Sequence, residues 1–269
     1  MHLKRWMTGI AALPLVIYLI VGGPLHFLLL IAVVALLTYW EYGRIVLTPL
    51  NDRTTEAFVV LGLAATAAIP AAVHLDDFGA AGLVVALNLV GCGLLALIRF
   101  SRNPGILDAV FRQTAGIVYI PLSLSLLIPL RSEADGWKWI LFILFIVFAG
   151  DIGAYYVGTY RGRHKLCPAV SPGKTIEGAA GGIAGNLVVG SLFKTVWFAG
   201  LPWIPCVMLF CAVGVAGQIG DLFESQIKRT AGIKDSGTLL PGHGGFLDRI
   251  DALLFVAPVA YAFRYYILT

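Results

Sequence analysis

The chain has 269 residues, of which 59% are hydrophobic and only 13% charged, and its mean hydropathy is +0.87. Soluble domains use roughly 45–50% apolar and about 25% charged residues, so a water-exposed globular fold is excluded and an all-α, polytopic integral membrane protein is expected. The formal net charge of +4 is read as membrane topology plus contact with anionic lipid, and no nucleic-acid partner is expected.

A transmembrane helix needs about 20 residues to cross roughly 30 Å of hydrocarbon. Taken in chain order, the apolar runs predict nine spans: Gly9–Val21, Leu25–Val46, Ala57–Val73, Phe78–Ile98, Gln113–Leu130, Trp137–Tyr160, Ile176–Trp197, Leu201–Gly220 and Ala252–Ile267. The first is short, is broken by Pro14 and follows Lys4 and Arg5 as a signal peptide would. It lacks a small-residue cleavage site before a soluble segment, and Pro24 leads straight into another apolar run, so it is read as an anchor. Without it the count is eight.

With the N-terminus placed in the cytoplasm, fifteen of the 19 Lys and Arg residues fall on the cytoplasmic side, as the positive-inside rule requires. Every polar loop with chemical promise then faces the cytoplasm. Ionisable groups within spans are concentrated after residue 130, which predicts a scaffold half (1–130) and a catalytic half (131–269). Cys92, Cys167, Cys206 and Cys211 show no C-x-x-C spacing and are read as packing residues.

Charges at membrane depth are costly and are functional candidates by default. Asp151 interrupts the run ILFILFIVFAGDIGAYYVG. At about 1.5 Å per residue it lies about 21 Å along its helix from Trp137, toward the cytoplasmic leaflet. Taken alone it is either a structural acid or a site residue. Asp221 ends the eighth span, and Asp248 and Asp251 open the ninth from the same side. Asp221, Glu224, Ser225 and Lys228 are spaced i, i+3, i+4 and i+7 and share one helical face. Carboxylates gathered at one end of a bundle suit a hard cation, and Mg²⁺ keeps positions open for phosphate.

The cations around these acids indicate what such an ion would serve. Lys228, Arg229, Lys234 and Arg249 are suited to phosphate, and Pro241, Gly242, His243, Gly244 and Gly245 make a tight turn whose amides can approach an anion. His243 is read as orienting a phosphate, whereas His164 lies in a solvated basic cluster. The segment RGRHKLCPAVSPGKTIE (161–177) contains GKT, but Pro168 stands five residues before Gly173 and the P-loop pattern fails. Ser171 or Thr175 is expected to cap the next helix, with Lys174 at its positive end as a phosphate contact or a topogenic lysine.

Ser225 to Asp251 reads S-x-I-K-R-x-x-x-x-K-D-x-G-x-x-L-P-x-H-G-G-F-x-D-R-I-D, which resembles the signature of the phosphatidate cytidylyltransferases, or CDP-diacylglycerol synthases, with no departure across the 27-residue pattern. The resemblance extends to the length, the hydropathy and the SPGKTIEG segment. It implies Mg²⁺-dependent conversion of CTP and phosphatidate to CDP-diacylglycerol and pyrophosphate at the inner membrane. The metal ligands implied are Asp221 and Asp248, with Asp251 a ligand or a supporting acid and a second cation left open. Lys228 and Arg249 join the catalytic set. Lys174, Ser171, Ser225, Arg229, Lys234, His243, Gly244 and Gly245 become substrate contacts. A homodimer is also implied, and the small-residue run Gly178–Gly185 suits close packing within or between chains. A cation-coupled transporter would favour midplane sites and internal repeats, which the sequence does not show.

Overall fold

A computed structural model describes residues 13–47, 53–101, 103–237, 239 and 244–268, with side chains described from residue 56 in the second of these ranges. The described residues are overwhelmingly helical. Residues 13–21 form α1, followed by α2 (Pro24–Leu47), α3 (Arg53–His74), α4 (Phe78–Arg99) and α5 (Ile106–Ile117). A π-helical turn (Val118–Leu122), α6 (Ser123–Ser125) and α7 (Leu127–Ser132) continue from α5. Then come α8 (Gly136–Arg161), β1 (Lys165–Cys167), β2 (Ser171–Thr175), α9 (Ile176–Trp197), α10 (Trp203–Thr230) and α11 (Leu247–Tyr266).

Among the described residues, 7 helices are long and apolar enough to cross a membrane. They match the second to eighth predicted spans. Of the two remaining spans, the first is described only from residue 13. The last corresponds to α11, which carries Asp248, Arg249, Asp251 and Arg264 and so falls short of an apolar span by composition. Exposure agrees with a lipid environment: α4 leaves Leu83, Leu87, Val90, Leu94 and Leu97 exposed at spacings of three and four, an apolar stripe on one helical face. The chain is an integral membrane protein.

Several boundaries differ from the hydropathy reading, each for a local reason. The fifth span runs from Ile106 to Ser132 because Pro121, which has no N–H to donate, is absorbed by a widened π turn without ending the helix. Helix α10 runs on to Thr230, ten residues past the apolar signal, as a polar extension. Between the sixth and seventh spans, the polar segment folds into a small antiparallel hairpin that pairs Lys165 with Thr175 and Cys167 with Ser171.

The chain divides into two compact units: Met1–Ser132 with Ala231–Arg249, and Glu133–Thr230 with Ile250–Thr269. In the first, Phe58, Cys92, Ala96, Ile106, Ala109 and Val110 form a buried cluster with Leu47. Here Asn88 Nδ2 donates to the Leu61 carbonyl at 3.1 Å and Tyr42 OH to that of Arg112 at 2.9 Å, tying α4 to α3 and α2 to α5. The buried Arg131 guanidinium donates to the carbonyls of Ile20 and Val21, capping the end of α1.

In the second unit, α8 and α9 approach at backbone contact. A Cβ on Gly153 would lie 2.5 Å from the Gly181 carbonyl oxygen, and one on Gly185 would lie 2.5 Å from that of Ala149. The small-residue run of α9 therefore packs within the chain, against α8. Asn186 Nδ2 (to the Phe210 carbonyl, 3.4 Å) and Gln218 Nε2 (to that of Ala179, 2.9 Å) tie α10 to α9. Of the two candidate caps for α9, Thr175 fills the role, its Oγ1 accepting from Gly178 N at 3.1 Å. Thr175→Ala is expected to lower stability by about 1 kcal/mol, read as a reduced melting temperature in detergent.

Candidate active site

The acidic residues of the second unit converge because its helices touch at glycines. At the α10–α11 contact, a Cβ on Gly220 would lie 2.5 Å from the Asp251 carbonyl oxygen and 3.1 Å from Ala252 Cα. Asp221, the next residue along α10, is thereby held close to the backbone of Asp251 and Ala252. Helix α8 contributes Asp151, which lies within the electrostatic reach of Asp221 and Lys174; Asp251 senses the same two and Asp151 as well. Three carboxyl groups and one ammonium thus share a neighbourhood.

Lys174 is placed with unusual care. It sits on β2, and its Nζ pairs with Asp221 Oδ2 at 2.5 Å. Glu177, in the first turn of α9, accepts from the amides of Arg163 (3.0 Å) and His164 (3.2 Å) and contacts His164 Nδ1 at 2.5 Å. Ile176 N donates to the His164 carbonyl at 2.9 Å. From the other side, Arg229 Nε donates to the Val170 carbonyl at 3.2 Å, tying the end of α10 to the hairpin turn. Lys174 is therefore mounted on a hairpin fixed at both its base and its tip.

Lys228, also on α10, pairs with the buried Glu224 at 2.7 Å, one turn away. Ser225 and Ser171 are half-buried, and Arg229 and Lys234 are exposed. His243 lies outside the described residues.

The first unit holds Asp248, Arg249, Gly244 and Gly245. Asp248 accepts from Ser236 N at 3.1 Å and Gly245 N at 3.0 Å, closing the base of the signature loop. Gly244 takes φ +83°, and a Cβ there would lie 2.9 Å from Asp248 Oδ2, so both the conformation and the space call for glycine. Arg249 follows in the first turn of α11, exposed.

The donor chemistry suits a hard cation, since every candidate ligand is a carboxylate oxygen. Among the described residues, no group of three or more His, Cys, Asp or Glu forms a ready cage.

A profile of the cytidylyltransferase family matches residues 3–267, nearly the whole chain. The chain belongs to the cytidylyltransferase family. Among curated relatives, the phosphatidate cytidylyltransferase of Bacillus subtilis is 33% identical over 262 residues, covering 96% of each chain. That of Brucella suis is 34% identical over 264 residues, 96% of this chain and 92% of its own. That of Staphylococcus saprophyticus is 40% identical over 168 residues, 62% of this chain and 63% of its own.

Two residues of this cytidylyltransferase-family chain are more prominent in the structure than in the motif. Asp151 belongs with Asp221 and Asp251, a placement signalled by an acid inside an apolar run. Glu41 carries the same signal in LLTYWEYGRIV and is almost fully buried, 1% exposed, in a part of the chain that the signature does not cover.

Proposed function

We propose that this chain is a Mg²⁺-dependent phosphatidate cytidylyltransferase that makes CDP-diacylglycerol and pyrophosphate from CTP and phosphatidate. The observation that carries the reading is the grouping of Asp151, Asp221 and Asp251 around Lys174, in a chain similar over almost its full length to enzymes of that name. A phosphate oxygen of phosphatidate attacks the α-phosphorus of CTP, the bond to the β-phosphate breaks, and pyrophosphate leaves with the electron pair. The attacking oxygen is already anionic near neutral pH, so the reaction needs alignment and charge neutralisation more than a strong base.

The motif assigns the ion to Asp221 and Asp248, with Asp251 a further ligand or a supporting acid; a second cation is left open. Mg²⁺, when bound, supplies neutralisation of triphosphate charge and orientation of the leaving group. Lys174 and Lys228 enter the reaction already paired with carboxylates, so their ammonium groups are oriented before any phosphate arrives. Arg229, Lys234 and Arg249, all exposed, are assigned to the two phosphorylated substrates, with Ser171, Ser225, His243, Gly244 and Gly245 as further contacts. Residues 131–269 are the catalytic half on this reading and 1–130 the scaffold. The site faces the cytoplasm from the inner membrane, where CTP is dissolved and the lipid is supplied sideways, and the protein works as a homodimer.

Purified protein given labelled CTP, phosphatidate and Mg²⁺ is expected to release pyrophosphate and form a CDP-lipid. Chelation should abolish this, and added Mg²⁺ should restore it. Release of CDP would instead identify a lipid kinase, and absence of any turnover would favour transport or binding.

A further inference from the structure

Glu41 is a carboxylate on α2 that none of the expected chemistry uses. Isolated burial of such a polar group is costly, and it is tolerated where hydrogen bonds compensate for the lost water. Here the compensation comes from the signature loop. Glu41 Oε2 accepts from Leu247 N at 3.0 Å and from Ser236 Oγ at 3.3 Å. Ser236 and Leu247 are themselves buried, 8% and 0% exposed.

The loop is shaped to receive this side chain. A Cβ on Gly237 would lie 2.5 Å from Glu41 Oε1, and one on Gly245 would collide with Glu41 Oε2 and with Ser236 Oγ. Two glycines of the signature therefore leave room for a glutamate some 200 residues earlier in the chain. Meanwhile Asp248 accepts from Ser236 N and Gly245 N. Ser236 is thus held by both carboxylates, by its hydroxyl to Glu41 and by its amide to Asp248. The opposite side of the loop base is held in the same way, Leu247 N by Glu41 and Gly245 N by Asp248.

We propose that Glu41 is a positioning residue that locks the base of the signature loop and thereby fixes the orientation of Asp248. It touches no reacting atom; it acts through Ser236, Leu247 and the loop geometry. The catalytic consequence rests on the cytidylyltransferase reading given above, but the locking itself does not.

The test uses the full-length protein in detergent and two readouts. Lys234 and Arg163 are both exposed, so limited trypsin digestion can compare cleavage after Lys234, next to the loop base, with cleavage after Arg163 as an internal reference. When reclosing outruns cleavage, the rate reports the population of the opened loop. Glu41→Ala is expected to speed cleavage after Lys234 by about ten-fold, as loss of two buried hydrogen bonds implies, and to leave cleavage after Arg163 unchanged. Glu41→Gln, which keeps an acceptor oxygen, should fall between wild type and Glu41→Ala.

In turnover assays, the same order should hold for kcat, with KM for CTP changing less than kcat. Should Glu41→Ala fail to yield folded protein, Ser236→Ala, which removes only the hydroxyl arm, is expected to raise cleavage after Lys234 by about two- to three-fold. Unchanged cleavage after Lys234 in the folded variants, or equal acceleration at both sites, would overturn the proposal. Wild-type protein inactive with CTP and phosphatidate would sink the functional reading alone, leaving the proteolysis to decide the role of Glu41.

Discussion

Asp221→Asn is expected to lower CDP-diacylglycerol formation by about 10²- to 10³-fold, the loss typical when one well-placed electrostatic group is removed from a transfer site. The substitution keeps the size of the side chain and removes its charge. An amide holds a divalent cation poorly, and it no longer pairs with Lys174 as an anion. Stability should hardly change, because the pair is partly solvated, with side-chain exposures of 24% for Lys174 and 39% for Asp221. Ion pairs of that kind contribute about 0–1 kcal/mol. The check is turnover with labelled CTP alongside a melting curve in detergent. Full activity in a folded Asp221→Asn protein would remove Asp221 from the site, and a large drop in melting temperature would recast it as a structural acid.

Much of this arrangement can be read from the order of residues, for a physical reason. Lipid imposes a strong demand for long apolar runs, so the spans from Pro24 to Gly220 are visible as hydropathy, and the few acids that interrupt or end those runs stand out. Asp151, Asp221 and Asp251 are legible in this way, and the structure brings those three together. Features set by tertiary contact are less visible. The hairpin that carries Lys174 has strands of three and five residues, and the second contains Pro172 and Gly173, which argue against a strand in any local reading. Its stability comes from Glu177 and from Arg229, whose partners lie 14 and 59 residues away. The extension of α10 to Thr230 is polar and so is invisible to a hydropathy scan. The role of Glu41 is hard to read from sequence for a different reason. Its signal, an acid amid aromatic and aliphatic residues, is as clear as that of Asp151, but its partners Ser236 and Leu247 become neighbours only after folding.

The glycines of α10 give a second large effect, with opposite signs at two positions one turn apart. A Cβ on Gly217 would meet Ala252 Cβ and Val256 Cγ2 at 3.7 Å, an ordinary contact, so Gly217→Ala is expected to be neutral or stabilising by up to about 1 kcal/mol through helix propensity. At Gly220 the added methyl would lie 2.5 Å from the Asp251 carbonyl oxygen, and the obstacle is backbone that cannot rotate away. Overpacking of this kind costs about 1–3 kcal/mol, and relief requires α10 and α11 to separate. Because Asp221 adjoins Gly220 and the obstructing carbonyl belongs to Asp251, that separation acts directly on the two acids. A displacement of about 1 Å at a reacting centre can cost about 10²-fold in rate. Gly220→Ala should therefore lose activity by about that factor, together with a lower melting temperature, while Gly217→Ala retains both. If the two variants behaved alike, the close contact of α10 with α11 would not be what sets the spacing of Asp221 and Asp251.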